Sequence, residues 1–492
     1  MDNGHDNNYD HVLKYTWLFG GVQGLIIAIG LVRNKAMALL LGVAGMGFAS
    51  LMSTMQNFAA QCTNLGIGFG AVPRLSSYYE SEDFRQLNHY IMVIRLWSMM
   101  AALLGLLFCL LLSPFADRWT FTWGDHTLHY SMLGFSVGML AITGGEIAIL
   151  KATRRLEAVA SIQIYMAVAS VLISVPLYYF WGHSGIVPAI VLTALASMVI
   201  TMGYSYRCHP LRLSFRKSIF VEGASMIRLG VAFVVAAAIG SGAEMLVRSF
   251  LNVAGSMDDV GYYNAAYMIA ITYAGMVFSA MDTDYFPRLS AVSNDVEATN
   301  ETVNKQMEVS LLLLSPMIVG LLTMLPVLVP LLFSSDFLPV VGMAQMAVLA
   351  MYLKALTLPV AYITLARSYS GAYFFLETTY FVVFVLAIAL GYYAWGIYGT
   401  GIAIVLAHVF DYLMINGFAW WKYGYRCTRQ IGCYAAVQLT LGVTAFLVSL
   451  WADGWTYWIT EAALTVVSTA YSIHVLRQKT HLWQSLMRKL RT

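Results

Sequence analysis

The sequence predicts an all-α, polytopic membrane protein of about fourteen transmembrane helices, and three observations support this. Of its 492 residues 59% are hydrophobic and only 11% are charged, whereas a soluble chain carries roughly 25% charged residues. That excludes a large soluble domain, a disordered chain and a secreted disulfide scaffold. Apolar runs long enough to cross the hydrocarbon layer, roughly 20 residues each, recur along the whole chain between short polar links. Finally, of 28 Lys and Arg residues, 21 fall on one set of alternate links and only 2 on the other, which is the charge bias of an alternating membrane topology.

Taken in order, residues 1–14 (MDNGHDNNYDHVLK) are polar and acidic. They lack the basic start of a cleaved signal peptide, so the first apolar run is expected to remain as a membrane helix. Six spans follow, near 15–33, 45–72, 89–112, 127–150, 157–181 and 185–205, and form an N-terminal lobe over 15–206. Between the lobes lies a basic linker at 207–224, whose core RCHPLRLSFRKS is the longest basic stretch near the middle. A C-terminal lobe over 225–420 holds spans near 225–249, 260–284, 306–334, 340–366, 373–393 and 396–420. Two further spans, near 431–452 and 455–476, occupy 421–476. The tail, 477–492, places Leu482, Trp483, Leu486, Met487 and Leu490 on one helical face beside Arg488, Lys489 and Arg491. It reads as a basic amphipathic helix on the inner leaflet. An even number of spans and the charge bias put both termini in the cytoplasm.

A faint repeat relates the lobes. MGFASL (46–51) precedes PRLS (73–76) by 26 residues from Gly47 to Pro73, and VGYYNA (260–265) precedes PRLS (287–290) by the same 26 from Gly261 to Pro287. Six intervening spans leave both copies facing the same way, a parallel repeat with a substrate path expected between the halves. Five cysteines (Cys62, Cys109, Cys208, Cys427, Cys433) form no CxxC pair, and the odd number argues against a disulfide framework, leaving small packing residues or free thiols in a reducing compartment.

Ionisable groups within spans cost roughly 2.5–3.5 kcal/mol each on insertion scales and mark candidate sites. The basic ones are Arg33, Arg95, Arg228, Arg248 and Lys354. Arg33, Arg228 and Arg248 lie near span ends, where snorkelling to the interface competes with a substrate-binding role. Arg95 and Lys354 lie deeper, and there substrate binding is the stronger reading. Among the acidic residues (Glu146, Glu244, Asp282, Asp284, Glu377, Asp411, Glu461) the candidates for ion coupling are Asp411, with His408 one turn before it, Glu146 and Glu244. Glu244 and Arg248 also have the i,i+4 spacing of a pair along one helix. In the second span Ser50, Thr54, Asn57, Gln61, Asn64 and Gly68 form one polar stripe, with Gln23, Gly30 and Arg33 on a similar face of the first. Lipid cannot satisfy those amides, so the stripe either packs against protein or walls a hydrated cavity, with Asn57, Gln61 and Asn64 as substrate-binding candidates. Asn264 with Tyr262, Tyr263, Tyr267 and Tyr273 offers rings that either stack on sugars or belong to an aromatic belt. The sequence shows no GxSxG, HExxH or P-loop, no acidic metal cluster and no large outer loop, so no enzyme activity, metal or nucleic-acid partner is expected.

Two segments carry a family resemblance: WLFGGVQGLIIAIGLVRNKAMALLLGVAGMGFASL (17–51) and GYYNAAYMIAITYAGMVFSAMDTDYFPRLS (261–290). Both resemble O-antigen and exopolysaccharide flippases of the superfamily that includes MATE multidrug exporters and lipid II flippases. The resemblance implies a MATE-like bilobed transporter of the bacterial plasma membrane, six helices per lobe with two appended. It implies an undecaprenyl-diphosphate-linked oligosaccharide as substrate, carried from the inner to the outer leaflet by alternating access, with H+ or Na+ as possible coupling ion and no other cofactor. Membrane lipids and other polysaccharide-assembly membrane proteins are the implied partners. Of the basic residues only Arg33 is carried over by position, since such relatives keep essential basic residues on the first span. Arg suits a diphosphate because it grips phosphate oxygens in a bidentate way. The alternative is a cation-coupled drug or metabolite antiporter of MATE type. Five intramembrane basic residues favour the anionic substrate.

Overall fold

A computed structural model of the protein describes residues 3–121, 124–211, 217–367 and 369–479. The amphipathic tail expected beyond residue 479 and the Arg212–Arg216 part of the linker lie outside the described residues. Described residues are helical or in short turns, with no strand among them.

The helices are α1 (Asn3–Thr63), α2 (Ile67–Gly70), α3 (Val72–Glu80), α4 (Phe84–Thr120), α5 (Thr127–Ala152), α6 (Leu156–Trp181), α7 (Ile186–Cys208) and α8 (Lys217–Ala254). They continue as α9 (Met257–Tyr267), α10 (Ala274–Val292), α11 (Val296–Leu332), α12 (Val341–Ala366), α13 (Ser370–Tyr423), α14 (Arg429–Trp451) and α15 (Gly454–Lys479). Among the described residues ten stretches are long and apolar enough to cross a membrane. Three of these hold two crossings each: α1 breaks at Gly42, α6 and α7 meet at a short 3-10 turn, and α13 breaks at Trp395 and Gly396. At the α13 break the chain doubles back, because Gly391 and Gly399 stand so close that a Cβ on either would strike the other's carbonyl. With the α9–α10 segment added, the number of crossings is the fourteen read from the sequence.

The two repeat copies differ in detail. The sequence reads 45–72 as one span, but α1 stops at Thr63: the Asn64 side chain turns back to accept from the Gly66 N–H at 2.8 Å, and Gly66 takes a left-handed conformation (φ 67°). α3 then begins with Pro73 in its first turn, where a missing N–H costs nothing. In the second copy the helix runs on through a π-helical turn, Met268–Tyr273, and past Pro287.

By packing, the described chain falls into two compact units, Met1–Gly261 with Leu332–Ser334, and Tyr262–Leu331 with Ser335–Thr492. In the first, α5 packs on α4 and α7, α1 on α6 and α8, and a buried cluster including Leu75, Leu87, Tyr90, Ile94, Ile149 and Met226 joins α3, α4, α5 and α8. α8, placed with the C-terminal lobe on sequence grounds, packs in this unit against α1, α2 and α4. Gly66 and Gly230 permit that approach, their backbones being too near for a Cβ on either. In the second unit α12 is the central helix, buried from Met343 to Thr364 and packed on α10, α13 and α14. α11 carries Pro316, Pro326 and Pro330.

Candidate functional site

In the first unit the deepest charge is already neutralised. Arg95 of α4, 4% exposed, donates from Nε to Glu146 Oε1 of α5 at 2.8 Å and from Nη2 to Oε2 at 3.2 Å. Its remaining contacts are the carbonyls of His209 (2.8 Å) and Pro210 (3.1 Å) and the face of Tyr206, 4.5 Å away. Ser205 donates to Glu146 Oε2 from α7. This bidentate pair therefore ties α4, α5 and the end of α7 together, with its guanidinium turned to protein on every side. Burial holds the adjacent His209 imidazole below its ordinary range, and the nearby Arg95 and Arg155 push it the same way.

The polar stripe on the second half of α1 divides into three parts. Buried Ser50 accepts from Arg248 Nε at 2.8 Å, and Arg248 also pairs with Glu244 one turn earlier on α8 at 3.5 Å. At the other end Asn64 donates to Gln61 at 2.9 Å while capping the turn into α2. Asn57 between them is exposed. An amide at membrane depth cannot be satisfied by lipid, so that part of the face needs protein or water beside it. Arg33 is half-buried within electrostatic reach of the Tyr178 phenol on α6, and Arg228 is exposed near the start of α8. A separate apolar cavity of about 390 Å³ opens between α1, α4, α5 and α8, lined by Met55, Phe58, Phe108, Trp119 and Met245. None of the predicted charged residues reaches it.

In the second unit the structure gathers charges that lie far apart in sequence. Lys354 of α12 lies within electrostatic reach of Glu377 on the first half of α13 and of Asp411 and His408 on its second half. Its ammonium stands 5.8 Å from the centre of the Phe278 ring on α10, a cation–π distance. Glu377 hydrogen-bonds Tyr373 one turn away, and Tyr380 meets the buried His408 ring at 5.8 Å. His408 Nδ1 faces the Ile404 carbonyl at 2.9 Å, which leaves Nε2 as the nitrogen for other contacts. Tyr263 and Tyr267 of α9 stack at 5.7 Å and feel the Tyr380 phenol. One cation, two carboxylates, an imidazole and a group of phenols thus converge within helices that cross the membrane.

Of the substrate-binding candidates, Lys354 meets the ion-coupling candidate Asp411, whereas Arg95 is consumed by Glu146 and Arg248 by Ser50 and Glu244. Glu377, Tyr373 and Tyr380 were not singled out for the site. Their spacing of four and three residues on one helical face is the signal that identifies them.

Comparison with known proteins now bears on this arrangement. Residues 36–342 match the family described as "Polysaccharide biosynthesis protein". The chain belongs to that family. No curated protein matches it. Among solved structures it resembles a lipid II flippase, MurJ, in an inward closed conformation, with 12% identity, a TM-score of 0.70, and 94% of this chain and 99% of that one covered. An inward-facing multidrug resistance MATE transporter of the MOP superfamily aligns with 13% identity and a TM-score of 0.63, covering 86% of this chain and 96% of that one. A Vibrio cholerae MATE transporter aligns with 14% identity and a TM-score of 0.56 over 83% and 96%. At such identities the likeness is one of fold, and the fold is that of the MOP transporters. The chain thus has the all-helical fold of those flippase and drug-exporter structures, and the Lys354 cluster lies within its second unit.

Proposed function

We propose that this protein is a flippase that moves an oligosaccharide linked to undecaprenyl diphosphate from the inner to the outer leaflet of the bacterial plasma membrane, supplying surface polysaccharide synthesis. The observation that carries the reading is the intramembrane cluster of Lys354 with Glu377, Asp411 and His408, on the frame of a polysaccharide biosynthesis family. A diphosphate crossing the hydrocarbon region needs a cation there, because an unpaired charge in that setting is expensive. Lys354 supplies it. While Glu377 and Asp411 are ionised they hold the ammonium themselves. When they take up H+, or bind Na+, Lys354 is released to phosphate oxygens, so substrate and coupling ion are linked through one side chain. The phenols of Tyr263, Tyr267 and Tyr380 offer faces and hydroxyls on which a sugar could stack and bond.

Within this reading Arg95 and Glu146 serve as an internal tie between helices, and Asn57 is the hydrated group of the α1 stripe. Arg33 and Arg228 are left as the half-buried and exposed cations available to guide an anionic headgroup.

The test uses a native host deleted for the gene and complemented with variants. Lys354→Gln should abolish surface polymer at unchanged membrane abundance, with completed lipid-linked glycan accumulating on the cytoplasmic side. Normal polymer from this variant, or no glycan accumulation in the deletion strain, would refute the proposal. Glycan accumulating on the outer side would assign the defect to polymerisation instead.

A further inference from the structure

A carboxyl that the proposed transport cycle does not use lies inside the second unit. Glu461 of α15 is 0% exposed and sits about 10 Å along the helix from its start at Gly454. The groups facing it are all uncharged as they stand. On α11, Thr323 Oγ lies 2.9 Å from Glu461 Oε2. On α15 itself, Thr465 Oγ lies 2.9 Å from the Glu461 backbone carbonyl and 3.3 Å from Thr323 Oγ. Among the described residues Tyr457, one turn earlier, is the one other titratable group in reach, and its hydroxyl is spent on the Thr323 carbonyl at 2.9 Å. The polar residue that α14 brings to α15, Gln438, is engaged further along with Ser468 and Ser472. No Lys, Arg or His faces Glu461 among the described residues, and its Oε1 has no hydrogen-bond partner.

Counting hydrogens decides between two states. Each hydroxyl has a single proton to donate. If Glu461 is ionised, Thr323 must abandon the Val319 carbonyl, 2.9 Å away, to give the carboxylate its one hydrogen bond. A buried charge would then stand in hydrocarbon with no counter-ion and one oxygen bare, which the interior penalises heavily. If Glu461 carries a proton on Oε2, that O–H donates to Thr323 Oγ, Thr323 donates to Val319, and Thr465 donates to the Glu461 carbonyl. Every hydroxyl proton is then used once, and the bare Oε1 is only a neutral carbonyl.

The place where this happens also matters. Pro326 lacks the N–H that would bond the carbonyl four residues back, that of Leu322. Tyr457 approaches that carbonyl at 3.4 Å and the next one at 2.9 Å. Tyr457 and Glu461, one turn apart, therefore fasten α15 to a proline-broken turn of α11. We propose that Glu461, Thr323 and Thr465 form a proton-binding site whose bound proton clips α15 onto that turn, and that loss of the proton releases it. The proton leaves to water as hydronium, or to hydroxide, and no other bond changes.

The inference is independent of what the protein carries, and its test needs no transport. Infrared difference spectra of the full chain in lipid nanodiscs, wild type against Glu461→Gln, should show a protonated-carboxyl band at neutral pH that the variant loses. Thr323→Val, which keeps the shape and removes the hydroxyl, should shift that band upward. Raising the pH should lower the melting temperature of the wild type more than that of Glu461→Gln. If Glu461→Gln fails to accumulate, the Thr323→Val shift decides alone. Absence of a carboxyl band assignable to Glu461 by either variant would overturn the proposal.

Discussion

Removing the Arg95 guanidinium would leave the Glu146 carboxylate buried with only Ser205 to bond it. Breaking a buried pair from one side costs about 3–5 kcal/mol, whereas replacing both partners with apolar residues is close to neutral. Arg95→Leu should therefore lower the melting temperature of the purified protein sharply, and Arg95→Leu with Glu146→Leu should recover most of the loss. Equal damage from the single and double changes would argue for a role beyond tying helices. Beside this pair, His209 gives a pH prediction with a definite sign. Burial holds its imidazole below the ordinary value of about 6.5, so at acid pH the unfolded chain binds a proton that the folded one resists. The stability it contributes is complete above about pH 6.5 and is lost as pH falls through the folded value. His209→Gln should flatten the melting temperature against pH in that acid window, and parallel curves for the two proteins would refute the assignment. Of these residues the sequence shows which charges lie in spans but not their partners. Arg95 and Glu146 are 51 positions apart on different helices, so nothing local marks them as a pair. Glu244 and Arg248 were legible because i,i+4 spacing on one helix already implies contact.

Among the elements, runs of apolar residues were sufficient to read the crossings, since a bilayer demands length and hydropathy before anything else. What the runs concealed were the breaks. The turn after α1 depends on Asn64 bonding back to Gly66, a local polar competition inside a segment that reads as continuous span. Gly66 has two duties there: its φ of 67° disfavours any side chain, and Gly230 of α8 leaves no room for one. Gly66→Ala should cost about 1–3 kcal/mol from backbone strain with the clash added. Gly68, two residues on, has open space and ordinary backbone, so Gly68→Ala serves as the control. Melting curves that place both variants with the wild type would show that α2 and α8 are not held by this contact. The Lys354 cluster was half legible for a related reason. Lys354, Asp411 and His408 stand out as polar groups within apolar runs, but only the reversal of α13 at Gly396 brings Glu377 beside Asp411.

At the scale of the whole molecule, fourteen crossings and the one-sided Lys and Arg distribution make a prediction that the native thiols can test. Cys208 at the end of α7, Cys427 between α13 and α14, and Cys433 early in α14 are all exposed. Cys208 and Cys427 fall on the basic links, which the positive-inside rule assigns to the cytoplasm, and Cys433 lies near the start of α14 at the same end. A membrane-impermeant maleimide added to intact spheroplasts should leave them unlabelled, and should label them in inverted vesicles. Cys427 should react slowly even there, because, although its side chain reaches the surface, the protein around the sulfur partly desolvates the thiol and pushes it up, an effect its bond with Tyr425 only partly offsets, and the thiolate is the nucleophile. Asp258 and Asp453 are exposed on the opposite links. With the three native thiols changed to Ser, Asp258→Cys and Asp453→Cys should label from outside. Labelling of Cys208 from outside, with Asp453→Cys silent, would invert the molecule. The basic links would then face away from the cytoplasm, and a flippase loading at the inner leaflet would have to accept its anionic headgroup on the side with almost no cations. The electrostatic argument for the direction of transport therefore depends on this orientation, and two labelling reactions are enough to test it.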